Sequence, residues 1–262
     1  MRLGIVHETA YRYEAPLERS AQIARLFPRA HAGLEILSWS VTRDGQAALA
    51  PFEDGLGNRI AVVCAPRLAT GVRIEVRGEV ITRDTGGRWN GEETLPPIYF
   101  LRETALTRPA GGVGALLERA PGGREEVIEV ARLVRGRIDF AADATNVCTP
   151  AAEALARGSG VCQDHSHVLI AALRARGVPA RYVSGYLWTG RGDEPASHAW
   201  VETFTEGEWV GVDPANRCFA GEAHVRLAAG LDYADAAPVT GVRAGGGAEK
   251  LSVRVGVQQA QQ

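Results

Sequence analysis

An α+β fold is predicted by three features of the sequence: apolar positions alternating with period two in the first hundred residues, a change to helical periodicity after about residue 120, and alternating segments again from Pro179. These features divide the 262-residue chain into an N-terminal antiparallel β-rich, sandwich-like domain over residues 1–105 and a second domain over 106–262. In the second, helices are expected to pack on an antiparallel sheet.

Strands are expected over 4–13, 21–27, 35–42, 59–65 and 72–82. There, β-branched and aromatic residues gather between turn signals such as Asp44-Gly45, Asp54-Gly55 and Gly57-Asn58. Val72, Ile74, Val76 and Val80 share one face of the last segment, and Arg73, Glu75, Arg77 and Glu79 the other, as in a half-buried antiparallel strand. Gly and Pro over 85–97 interrupt the β pattern. A helix follows over 125–138, with Val127, Ile128, Ala131 and Val134 on one stripe. Thr149-Pro150 reads as a hydroxyl cap with proline at the first position of a second helix, which closes by Gly158. A third helix opens near Cys162 and runs to Gly177, a left-handed stop. Strands resume over 180–188, 197–204 and 209–212, the last two joined by the loop Thr205-Glu206-Gly207-Glu208 as a hairpin. A final strand over 251–257 precedes a polar tail, 258–262, expected to fray.

Hydrophobic residues at 45% and charged residues at 23% are globular composition. Twenty-nine basic against 31 acidic residues leave a net charge of −2, which argues against nucleic acid as a partner. No apolar run approaches the ~18–20 residues that cross a bilayer, so no membrane partner is expected. The N-terminus does not read as a secretory signal. Cys64, Cys148, Cys162 and Cys218 are too scattered for a disulfide scaffold, and a cytoplasmic location with reduced thiols is expected. Only Lys250 among the basic residues is a lysine, so the chain has little capacity to supply its own amine in amide-forming chemistry.

Three segments gather reactive residue types. Gly158-Ser159-Gly160-Val161-Cys162-Gln163-Asp164 sets a cysteine at the mouth of a helix. There the positive end of the macrodipole favours thiolate, and the adjacent glycines let a carbonyl approach backbone N–H groups. Ser197-His198-Ala199-Trp200-Val201-Glu202 opens a strand with a histidine. Trp209-Val210-Gly211-Val212-Asp213-Pro214 ends its hairpin partner with an aspartate, fifteen residues beyond His198. Adjacent strands can bring that carboxylate to the imidazole and fix its tautomer, completing a nucleophile–base–orienter set.

These segments, with Arg181-Tyr182-Val183-Ser184-Gly185-Tyr186-Leu187 and the opening His7-Glu8-Thr9-Ala10-Tyr11-Arg12-Tyr13, resemble the bacterial branch of the transglutaminase-like superfamily. The resemblance covers most of the chain. It implies a papain/transglutaminase-like core in which Cys162 is the nucleophile, His198 the base and Asp213 its orienter. Two positions depart from the family pattern: Ala215 precedes Asn216 where a threonine is usual, and Leu231 stands in Gly230-Leu231-Asp232-Tyr233 where an arginine is usual.

Gln163, His165, Tyr186 and Trp188 are substrate-contact candidates beside the cysteine and before the loop expected over 189–195. Tyr186 and Trp188 read equally well as core. Cys64, Cys148 and Cys218 read as structural, His167 as a partly buried helix residue, Trp200 and Trp209 as core, and Asp164 as a complement to the helix dipole. No metal site is expected, because His165 and His167 do not share a helix face with each other and no Cys-x-x-Cys completes a shell. No cofactor is implied, and no acidic calcium loop of the D-x-D-x-D-G type occurs.

The expected function is cysteine-dependent acyl transfer on peptide or carboxamide substrates through a thioester on Cys162, with hydrolysis favoured over cross-linking. The alternative is a catalytically silent binding or scaffold protein built on the same core. The sequence leaves the oligomeric state open, and the glutamine-rich end reads more simply as a terminus than as a self-substrate.

Overall fold

The computed structural model describes residues 1–190 and 196–260, and the expected loop over 189–195 and the tail's Gln261 and Gln262 therefore lie wholly or partly outside the described residues. In chain order the first strands are β1 (Arg2–Tyr13), β2 (Leu17–Phe27), β3 (Leu34–Arg43), β4 (Phe52–Glu53), β5 (Arg59–Cys64) and β6 (Gly71–Thr82). Then come β7 (Arg88–Trp89), two 3-10 turns (Pro97–Leu101 and Val113–Leu116), α1 (Arg124–Arg137), β8 (Asp139–Phe140), α2 (Ala151–Arg157), β9 (Ser159–Gly160) and α3 (Cys162–Arg174). The chain finishes with β10 (Ala180–Leu187), β11 (Ser197–Thr205), β12 (Glu208–Asp213), β13 (Cys218–Phe219), β14 (His224–Gly230), α4 (Tyr233–Ala236), β15 (Val239–Gly245) and β16 (Glu249–Gln259).

The sandwich has two four-stranded sheets, ordered β16-β1-β6-β3 and β15-β2-β5-β4. The alternation read in β6 is the physical one: Val72, Ile74, Val76 and Val80 are buried between the sheets with Leu3, Ile5 and Val41. Residues 239–259, grouped by sequence with 106–262, supply one strand to each sheet, β15 on β2 and β16 on β1. The expected frayed tail is therefore corrected through Gln259, which pairs with Leu3, and Ala260 N–H still donates to Arg2 at 3.0 Å. Gln258 and Gln259 continue the eleven-residue register of β16 on β1, and the added ladder bonds offset the ordering entropy that a free tail would keep.

The second unit sets α3 against the sheet β13-β12-β11-β10-β14, with β7 added beside β12. Every residue of α3 from Gln163 to Arg174 is buried, so it is a central helix and not an amphipathic surface one. Ala199, Val201, Val210 and Val212 pack with α3 on one face of the sheet. The β11–β12 hairpin is tighter than the expected loop. Thr205 pairs directly with Glu208, and Glu206 (φ 53°) and Gly207 (φ 83°) make a two-residue turn that suits the strand twist. α2 closes at Gly158 as expected, with that glycine left-handed at φ 66°, but Pro150 is the N-cap and the Thr149 hydroxyl accepts from Asn146 N–H instead of capping the helix.

The units meet through shared polar and apolar contacts. Asn58, read as a turn residue, mimics a strand: its side chain donates to Ala229 O (2.9 Å) and accepts from Ala229 N–H (2.8 Å). These bonds satisfy buried backbone groups at the edge strand β14. Tyr186, Val225 and Leu227 extend the sandwich core into the second unit.

Candidate active site

The pleat places His198, Trp200 and Glu202 on one face of β11, opposite the face that packs on α3. Val201 pairs with Val212, which brings Asp213 to the end of β12 beside His198. On the other side of β11, β10 pairs Gly185 with His198. A Cβ at Gly185 would lie 2.6 Å from the Trp200 ring and 2.2 Å from Val225 O, so only glycine lets the indole lie there. Trp200 in turn stacks near His198, with ring centroids 6.4 Å apart.

His198 Nε2 and Asp213 Oδ2 are 2.7 Å apart, and the carboxylate has no exposed surface. Cys162 lies close enough to the His198 imidazole to act on its protonation. With Nε2 held by Asp213, Nδ1 is the nitrogen available to the sulfur. Cys162 opens α3 and is partly exposed. Burial works against a charged His198, but the hydrogen bonds and charges of Asp213 and Cys162 outweigh it and lift its pKa to about 10. Burial likewise favours a protonated Asp213, yet hydrogen bonds from His198 and His224, together with the charge of His198, hold it well below the usual carboxylate range.

Two further groups serve Asp213 that the sequence reading did not single out. Asn216 donates its backbone N–H to Oδ1 (3.1 Å) and its side-chain amide to Oδ2 (2.7 Å). His224 Nε2 lies 3.1 Å from the same Oδ2. The signal for His224 was the alternation of His224 and Arg226 against Val225 and Leu227, which marks β14.

His198, Asp213 and His224 also bring potential metal-ligating atoms within 4.8 Å of one another, a different set from the His165, His167 and Cys162 weighed in the sequence. His224 Nδ1 accepts from Gly221 N–H at 3.1 Å, so its proton sits on Nε2, where a cation would have to replace it. The trio is arranged as a hydrogen-bonded relay.

The substrate-contact candidates fall in varied places. Tyr186 is corrected to core: it is 1% exposed, and its hydroxyl lies 2.7 Å from His7 Nδ1 inside the sandwich. His165 is corrected too, being fully buried with its ring nitrogens 2.7 Å from Val161 O and 2.9 Å from Ile138 O. It ties the start of α3 to the end of α1. Gln163 is buried and donates to Val147 O at 3.1 Å, bracing the loop before α2. Trp188 is half-buried against the sandwich core.

His167 is fully buried, not partly, and accepts from Tyr233 N–H. Asp164 does more than complement the dipole: Oδ2 accepts from the Val161 N–H (2.8 Å) and the Thr145 hydroxyl (2.6 Å), fixing the turn that presents Cys162. Cys64 and Cys148 are exposed, so packing does not explain them, whereas Cys218 is partly buried and its thiol is pushed up to about 11 by burial and the Asp213 charge. Trp200 and Trp209 are buried as expected.

Below His198 on the same face lies a buried charge network. Glu202 accepts from Arg181 Nε (2.6 Å) and Arg226 Nε (2.8 Å), and Glu93 pairs with Arg181 (2.6 Å). Trp209 and Trp89 cover the two guanidinium groups, each with the cation 4.0 Å from the ring centroid.

Residues 114–214, which hold all three candidate active-site residues, match the family described as the transglutaminase-like superfamily. Residues 3–81 match the bacterial transglutaminase-like N-terminal region. The chain belongs to the transglutaminase-like superfamily. It is 30% identical to an uncharacterized protein of Mycobacterium leprae, over 97% of both chains. An uncharacterized protein of Mycobacterium tuberculosis is 29% identical, over 92% of this chain and 87% of its own. The fold is that of a crystal structure from Cytophaga hutchinsonii named a putative cysteine protease, with a TM-score of 0.79 at 20% identity, over 100% of this chain and 91% of that one. Family and fold together support a cysteine-based catalytic function. No helix among the described residues is long and apolar enough to cross a membrane.

Proposed function

We propose that this superfamily member is a cysteine-dependent acyl-transfer enzyme that acts on peptide or carboxamide substrates and delivers the acyl group mainly to water. The observation that carries the reading is the pairing in which Asp213 holds His198 Nε2 at 2.7 Å, with Cys162 beside that imidazole at the start of a buried helix.

The Cys162 sulfur, having given its proton to His198, attacks the substrate carbonyl carbon. Asp164 and His165 N–H are taken by Val161 O, which leaves the Cys162 and Gln163 N–H groups at the opening of α3 as the donors to the oxygen as it becomes negative. The tetrahedral adduct collapses to a thioester, and His198 returns the proton to the leaving amine or ammonia. His198 then takes a proton from water, hydroxide attacks the thioester, and free acid leaves as the thiol is restored. Asp213 stays ionised throughout and stabilises the imidazolium in both halves. An acceptor amine in place of water gives an amide product by the same steps.

The test is incubation with a library of peptide carboxamides, with and without a labelled primary amine, read by mass spectrometry. Free acid and released ammonia or amine that disappear in Cys162→Ala support hydrolysis. Dominant incorporation of the amine overturns the preference for water. Absence of any Cys162-dependent product overturns the enzymatic reading and leaves the binding or scaffold alternative.

A further inference from the structure

We propose that His224 is a positioning residue for the candidate active site: a neutral imidazole of fixed tautomer that donates from Nε2 to Asp213 Oδ2 and so aims that oxygen at His198. The proposal rests on the reading of His198 and Asp213 given above and adds a residue to it.

The tautomer follows from the partners. Gly221 N–H donates to His224 Nδ1 at 3.1 Å, which leaves that nitrogen as an acceptor and places the proton on Nε2. Nε2 faces Asp213 Oδ2 at 3.1 Å, and an ionised carboxylate only accepts. The backbone of His224 also donates to Gly221 O at 2.9 Å, so the turn over 221–224 grips both main chain and ring. The imidazole is pinned before any substrate arrives.

The distribution of donors on Asp213 shows why a further donor matters. Oδ1 takes the Asn216 backbone N–H, while Oδ2 takes the Asn216 amide, His198 and His224. Asn216 approaches from the chain segment just after Asp213, so both of its bonds move with that segment. His224 approaches from β14, a separate strand, and fixes Oδ2 from a second direction. Trp200 braces the arrangement, its ring 5.1 Å from His224 and 6.4 Å from His198. An imidazole whose Nδ1 is already committed to a backbone N–H serves as a donor without adding a charge beside the candidate catalytic histidine.

The experiment compares wild type with His224→Leu, His224→Met and His224→Gln in the full chain. The Gln variant restores an N–H near the Nε2 position, and the two apolar variants differ in shape so that folding of either suffices. Two readouts are taken on each folded variant. The first is the low-field proton NMR signal of the His198–Asp213 hydrogen bond, assigned by its loss in His198→Ala. The second is the rate of Cys162 alkylation by iodoacetamide at pH ~6.

We expect the low-field signal to broaden and alkylation to fall roughly tenfold in the apolar variants, as for loss of a hydrogen bond to a charged group. His224→Gln recovers most of both. A sharp low-field signal and wild-type alkylation in a folded apolar variant overturn the positioning role. So does a Gln variant that falls as far as the apolar ones, since that marks a merely structural ring. A signal that depends on His224 while wild-type Cys162 is unreactive supports positioning and refutes the acyl-transfer reading, so the two failures are distinguishable.

Discussion

Replacing Glu202 by glutamine removes the one carboxylate that both Arg181 and Arg226 share beneath the candidate active site. Arg181 keeps Glu93, but Arg226 loses its anionic partner while remaining buried against Trp89. Breaking a buried pair on one side costs ~3–5 kcal/mol. Acid–base linkage gives a similar magnitude. Burial works against the ionised Glu202, yet Arg226 and Arg181 outweigh it and bring its pKa from 4.5 to about 2. At ~1.4 kcal/mol for each tenfold in acid dissociation, that gap corresponds to about 3 kcal/mol at neutral pH. The carboxylate is held below its ordinary value, so this stabilisation is full above pH ~5 and is lost as pH falls toward about 2. Glu202→Gln should therefore lower stability by ~3 kcal/mol at pH 7 and lower Tm by ~6–12 °C. The difference from wild type should shrink by more than half at pH ~3. Urea denaturation followed by tryptophan fluorescence measures it. A loss below ~1 kcal/mol at pH 7, or a difference that stays constant from pH ~6 to ~3, refutes the network's role.

Other perturbations have equally definite outcomes. Arg174 sits buried at the end of α3 and donates to Phe100 O (2.8 Å), Ala180 O (2.7 Å), Leu231 O (2.8 Å) and the Thr107 hydroxyl (2.8 Å). Arg174→Met orphans several of these acceptors, so thermal denaturation should report a loss of ~4 kcal/mol, with Arg174→Lys recovering only part because an ammonium lacks the planar fork. A Cβ at Gly78 would lie 2.1 Å from the Trp39 ring, so Gly78→Ala should cost ~1–3 kcal/mol in wild type and little in Trp39→Ala, as a double-mutant cycle would show. His198 should titrate by NMR near pH 10 and lower in Cys162→Ala, where the thiol's hydrogen bond and charge are gone. Because its pKa is raised, its contribution to stability is complete below pH ~6.5 and declines as pH rises toward about 10.

Local chemistry was the legible part of this molecule. Strands β1, β3, β5, β6 and β10 to β12 lie within a few residues of their expected bounds because alternation is written into each segment. The hairpin was readable from its turn residues, and with it the meeting of His198 and Asp213. Non-local pairing was not readable. β16 returns to β1 across most of the chain length, and nothing in Leu251–Val257 says which edge it seeks. β15 carries Val239, Thr240 and Val242, but Gly241 and Gly245 interrupt the pattern, and its pairing with β2 overrides that weakened propensity.

The site shows the same division. Cys162, His198 and Asp213 stood out because each occurs in a setting with its own chemical logic. His224 carried no motif, and its role exists only because β14 folds back beside Asp213. Tyr186 and His165 lie near the site in sequence, but their directions depend on packing: Tyr186 turns into the sandwich toward His7, and His165 toward the carbonyls of Val161 and Ile138. Gly57-Asn58 reads as a turn signal, while the bonds of Asn58 to Ala229 depend on a strand far along the chain.

The most direct test of the central claim is iodoacetamide alkylation across pH, mapped to each cysteine by peptide mass spectrometry, in wild type and His198→Ala. An ordinary thiol reacts appreciably only near its pKa of about 8.5, whereas one paired with an imidazolium reacts well below it. Cys64 and Cys148 are exposed and serve as internal references, and Cys218, pushed up to about 11, should lag behind them. The account predicts that Cys162 alone is alkylated near pH ~6 and that His198→Ala abolishes the advantage. A Cys162 that reacts no faster than Cys64 and Cys148, or one whose rate ignores the loss of His198, contradicts it.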